Sequence, residues 1–143
     1  MKTTRSSYNV LVVLMMFVSI SSCSKKNDDN PPPTPTVAEL LIHKWYFSKR
    51  EVNGTVQMAD ACTEKTYFDF KGDGTFTFQE SDYDDTLNCV TSPVLDGAYT
   101  LSSDETQLMI SGAIGNQTLT INSISESQLV FGFANGEINT LKR

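Results

Sequence analysis

Histidine occurs once in the 143 residues, at His43, and tryptophan once, at Trp45. A lone imidazole holds a metal only with carboxylate or thiolate partners, and none lies at ligand spacing from it. As a general base it would need a nucleophile, and the sequence names none. His43 is therefore expected to be structural or solvent-exposed. Also missing are the phosphate-binding Walker loop, the GxSxG elbow, a GxGxxG opening a helix, and any zinc signature. The expectation is a protein that is not an enzyme and carries no cofactor and no metal. Basic residues are scarce as well, 11 against 17 acidic. Two of those 11, Lys2 and Arg5, sit at the extreme N-terminus, so the remainder is more acidic still. Such a balance disfavours a nucleic-acid backbone as partner. Long apolar runs are lacking too: Val10 to Val18 is about half of the roughly 20 residues that a membrane-spanning helix needs.

What that short run does have is the layout of a secretory signal: Lys2 and Arg5, the apolar stretch, then small residues leading to Cys23. Ile20-Ser21-Ser22-Cys23 resembles the lipobox of bacterial lipoproteins, in its looser Bacteroidota form. In that pattern residues 1–22 are removed and Cys23 becomes the acylated first residue, carrying chains such as palmitate. A plain signal peptide with an incidental cysteine is the alternative. Residues 24–36 (SKKNDDNPPPTPT) have no apolar residue except proline, so they cannot help build a core. Pro31 to Pro33 and Pro35 favour polyproline II at about 3.1 Å per residue, so this tether spans roughly 40 Å when extended. Lys25, Lys26, Asp28 and Asp29 resemble the charged patch that directs some Bacteroidota lipoproteins to the cell surface. The expected location is the outer membrane of the cell envelope, on its surface or its periplasmic face.

From Trp45 onward the apolar pattern has period two and is interrupted by turn residues, as half-buried strands require. Eight strands are expected: Trp45 to Val52, Lys65 to Phe70, Thr75 to Ser81, Gly97 to Leu101, Gln107 to Ile110, Gln117 to Ile124, Gln128 to Phe133 and Glu137 to Leu141. Their short connections exclude crossover helices, which makes neighbours antiparallel and the topology a meander. One helix precedes them, Val37 to His43, with Thr36 and Glu39 placed for a capping box. Alternation selects one apolar face that includes Trp45, Phe47, Phe68, Phe70, Phe76, Phe78, Tyr99, Phe131 and Phe133. Eight such strands close into a small all-β up-and-down barrel without exposed edges, while a two-sheet sandwich would use the same pattern. The barrel is the expectation, over residues 37–143.

The short helix, Leu41-Ile42-His43-Lys44-Trp45, Phe70-Lys71-Gly72-Asp73-Gly74-Thr75-Phe76, Gly97-Ala98-Tyr99-Thr100-Leu101 and Gln107-Leu108-Met109-Ile110 together resemble the lipocalin-like domain common in small Bacteroidota lipoproteins. The family usually has glycine two residues before the tryptophan, where this chain has His43. The resemblance implies a small antiparallel barrel.

With Cys23 assigned to lipid, Cys62 and Cys89 remain as an even pair in an exported domain, which implies a disulfide; two unrelated thiols are the alternative. In an up-and-down barrel the first and third connections share one end, and these hold Cys62 and Cys89. That end lies opposite Trp45 and its helix. It also holds the acidic cluster Glu80, Asp82, Asp84 and Asp85, which lacks the glycine and glutamate of a calcium loop and reads as a solvated turn. Asp85-Thr86-Leu87 resembles the Asp-Thr-aliphatic acceptor of Bacteroidota O-glycosylation, at Thr86.

The expected function is a lipid-anchored, non-catalytic binding module. Its barrel mouth or rim loops would contact a small apolar ligand, a glycan or an envelope protein. The alternative is a structural or accessory envelope lipoprotein with a filled barrel. Strands of about five or six residues and nine inward aromatics favour a filled lumen, with the connections Asn53 to Glu64 and Asp82 to Asp96 as contact surface.

Overall fold

A computed structural model describes residues 33–143. The signal segment, Cys23 and the tether through residue 32 lie outside the described residues.

The chain enters the barrel through α1 (Val37–Leu41). Thr36 caps it: the Thr36 hydroxyl accepts from Glu39 N, and the Glu39 carboxylate accepts from Thr36 N at 2.8 Å. The helix stops two residues short of the expected His43. His43 N instead donates to Leu41 O, and the chain turns into β1 (Lys44–Val52). There follow β2 (Thr55–Met58), a 3-10 turn (Thr63–Lys65), β3 (Tyr67–Phe70), β4 (Thr75–Gln79), β5 (Ser81–Tyr83) and β6 (Cys89–Thr91). The last five strands are β7 (Leu95–Leu101), β8 (Gln107–Gly112), β9 (Gln117–Ile124), β10 (Gln128–Gly132) and β11 (Ile138–Lys142).

All pairings are antiparallel, in the order β11-β10-β9-β8-β7-β4-β3-β1, and β1 pairs back onto β11. The sheet is thus a closed barrel of eight staves. β2 adds no ninth stave, because it shares one with β3: the same edge of β1 pairs with β3 through Lys44 to Tyr46 and with β2 through Lys49 to Val52. β5 and β6 form a separate hairpin that prolongs β4 and β7 past the rim. Both connections expected as long loops therefore carry strands.

The staves pack a core of Leu41, Trp45, Phe70, Phe76, Leu108, Leu119, Leu129, Phe131 and Leu141, each at most 1% exposed. Burying each of the larger side chains contributes about 1.5–3 kcal/mol. The core lies toward the α1 end, where Leu41 closes the barrel and accepts a 3.0 Å hydrogen bond from the Trp45 indole. Arg143, one residue past β11, lays its guanidinium over Trp45 at 4.8 Å and donates to Leu40 O. With these contacts the last residue of the chain locks the helix onto the first strand.

Candidate functional site

The end away from α1 is open. There the barrel holds a cavity of about 510 Å3 whose floor is Phe47, Phe68, Phe78, Ile110, Phe133 and Leu141. Volumes of about 300–1,000 Å3 are those of small-molecule sites. The lumen is filled at one end only, contrary to the expected filled barrel. Of the nine aromatics expected to point inward, Phe47, Phe68, Phe78 and Phe133 line the cavity. Trp45, Phe70, Phe76 and Phe131 form the packed layer toward α1, and Tyr99 lies partly buried against Phe70. The longer strands account for the open space: β1 has nine residues and β9 eight, so their far ends rise above the aromatic layer.

Arg50 reaches the mouth through a break in alternation. Phe47 faces Leu141 across the β1–β11 ladder, but the register then slips, so that Lys49 faces Thr140 and Arg50 faces Asn139. This bulge brings Arg50 into the lumen where strict alternation would bring Lys49. Gln57 is its partner on β2, and Arg50 Nη2 donates to Gln57 Oε1 at 2.9 Å. Asn139 stands opposite the buried Phe131 on β10 and also lines the cavity. Its Oδ1 is buried without a hydrogen-bond partner. Sequence reasoning missed Arg50, Gln57 and Asn139, because polar residues on an inner face give no apolar signal and the bulge is invisible in the pattern.

The rim adds Asp60, Glu80, Asp82 and Glu137. Asp60 turns the chain into the 3-10 helix: its Oδ1 accepts from Thr63 N and Cys62 N, both at 2.9 Å. The Thr63 amide first, then that of Cys62, holds its carboxyl below the usual carboxylate range. Cys62 and Cys89 form a disulfide with Cα atoms 5.4 Å apart. It ties the 3-10 segment, which flanks the cavity, to the β5–β6 hairpin. Thr66 reinforces the same seam, with its hydroxyl donating to Ser81 O and accepting from Ser81 N.

Asp84 and Thr86 lie at the exposed tip of that hairpin. Asp84 Oδ1 accepts from Thr86 N, Thr86 Oγ1 and Asn88 N, so the densest part of the acidic cluster organises its own turn. Among the described residues no group of three or more His, Cys, Asp and Glu could hold a metal ion. His43 is exposed at the closed end, its ring edge-on to Trp45 at 6.4 Å.

A family model described as a lipocalin-like domain matches residues 41–131. Among curated proteins, none matches. Two solved structures share the fold. One is a lipocalin-like protein from Bacteroides uniformis, at TM-score 0.54 and 16% identity, covering 73% of this chain and 98% of its own. The other is an uncharacterized protein from Bacteroides eggerthii, at TM-score 0.52 and 13% identity, covering 72% of this chain and 98% of its own.

Proposed function

We propose that this chain, which belongs to the lipocalin-like domain family, is a non-catalytic cell-envelope lipoprotein that holds a small apolar ligand in the open end of its barrel. The observation that carries this reading is the cavity of about 510 Å3, with an apolar floor and a polar mouth, in a barrel whose other end is packed solid. A purely structural barrel would gain stability by filling that volume, since unfilled apolar space forfeits dispersion contacts. The arrangement also suits a tethered receptor. The described chain enters at α1, and the mouth is at the opposite end, so lipid on Cys23 would anchor the closed end and leave the mouth toward solution. The lipobox-like segment and the proline-rich tether support attachment to the outer membrane.

Titration of the chain from residue 23 onward, carrying Cys23→Ser and purified without detergent, tests binding with the neutral fluorophore N-phenylnaphthylamine. Saturable fluorescence enhancement at one site per chain is expected. Ile114→Trp, which fills the cavity from its half-buried edge, should abolish the enhancement and leave the unfolding midpoint unchanged. No saturable binding by the unsubstituted chain would favour the ligand-free accessory lipoprotein instead.

A further inference from the structure

The chemistry of the mouth selects a kind of ligand, granted the binding reading above. Five charged side chains line the cavity: Arg50 is the one cation, and Asp60, Glu80, Asp82 and Glu137 are carboxylates. Among the described residues the ion pairs join Lys44 and Lys71 to Asp69, and Lys142 to Glu64, so none of them neutralises the mouth. Arg50 spends one donor on Gln57. Below this ring the cavity is floored by phenylalanines, which offer a charged group no ionic partner. A low-dielectric cleft of one sign raises the local concentration of the opposite charge and repels its own.

We infer that the occupant is a cationic amphiphile: an apolar body on Phe47, Phe68, Phe78 and Phe133, and an amine head whose N–H donors meet the carboxylates of the mouth. A carboxylate head would satisfy Arg50 but would face four like charges. Fatty acids are thereby disfavoured.

Decylammonium, decanoate and decanol share one apolar body and differ only in the head, so calorimetric titration of the same Cys23→Ser chain isolates the head's effect. Decylammonium is expected to bind roughly tenfold more tightly than decanoate at low salt, with the gap narrowing as ionic strength rises. Glu80→Gln with Glu137→Gln, both at the rim, should narrow the gap between amine and carboxylate while leaving decanol binding unchanged. If that double variant fails to fold, either single substitution should narrow the gap by a smaller factor. Equal or tighter binding of decanoate would overturn the amine inference and leave the binding reading intact. Failure of all three probes to bind would overturn both.

Discussion

At the scale of single residues, the barrel is most sensitive where two staves approach with no room for a side chain. Gly97 on β7 pairs with Phe76 on β4 and with Gly112 on β8. A Cβ added at Gly97 would stand 2.5 Å from the Phe76 ring and 2.6 Å from Ser111 O. Neither can retreat easily, since Phe76 is buried in the core and Ser111 O is backbone. Gly97→Ala should cost about 1–3 kcal/mol, the usual penalty of overpacking, measured as a lower urea midpoint with unchanged slope. Four aspartates show a different residue-scale device. Asp60, Asp73, Asp84 and Asp104 each accept hydrogen bonds within their own turns, chiefly from Thr63, Thr75, Thr86 and Ser102 respectively. Each carboxyl is held below its ordinary value. A carboxyl depressed in the folded state contributes stability that is complete above its unfolded pKa and is lost as pH falls through the folded one. The unfolding midpoint should therefore stay flat in this respect from neutrality to about pH 5 and decline below about pH 4. Asn substitution at Asp73 or Asp84 should shrink the acid-side decline.

The scale of elements is where the sequence was most and least legible. Helix α1 was readable because Thr36 and Glu39 stand at capping-box spacing, and the structure makes both bonds. The barrel staves were readable because the large side chains alternate, as in Phe68 and Phe70 against Phe76 and Phe78. The β1–β2 hairpin was not expected, although Asn53-Gly54 is a strong hairpin signal and both residues take the positive φ of a tight turn, 51° and 77°. The oversight has a physical cause: β2 is only four exposed residues, and Val56 and Met58 give two alternating apolar positions, too short a run to mark a strand. The β5–β6 hairpin is hidden for the same reason, with only Ser81 buried among its six residues. Apolar burial is too slight to hold such an element on the barrel, which leaves the covalent link as its principal tie. The Cys62–Cys89 bridge closes a separation of 27 residues, and replacing both cysteines by alanine should cost about 3–4 kcal/mol. Hydrogen exchange should show the loss concentrated in residues 81–91 and the 3-10 segment, with α1 and β8–β10 still protected. Uniform loss of protection would mean that the bridge acts on the whole barrel rather than on its rim.

For the whole molecule, the decisive feature is the polarity of the barrel. α1, Trp45 and Arg143 close one end, while the cavity, the disulfide and the Asp84–Asn88 turn occupy the other. Were the protein held at its sealed end, as proposed, the open mouth would meet whatever diffuses past. On the proposed reading that hold is lipid at Cys23. Ile20-Ser21-Ser22-Cys23 offers a thiol for acylation, and the polar, proline-rich stretch after it offers a spacer. Each buried methylene contributes about 0.8 kcal/mol, so a single chain gives marginal attachment and stable anchoring requires more than one acyl chain. Mass spectrometry of the protein isolated from its native envelope should therefore find an N-terminal peptide beginning at Cys23 and carrying multiple acyl groups. Cys23→Ser should release the barrel from the membrane fraction with its fold and its probe affinity unchanged. Unmodified mature protein in the medium, or retention of the serine variant on membranes, would show that the sealed end is not held by lipid.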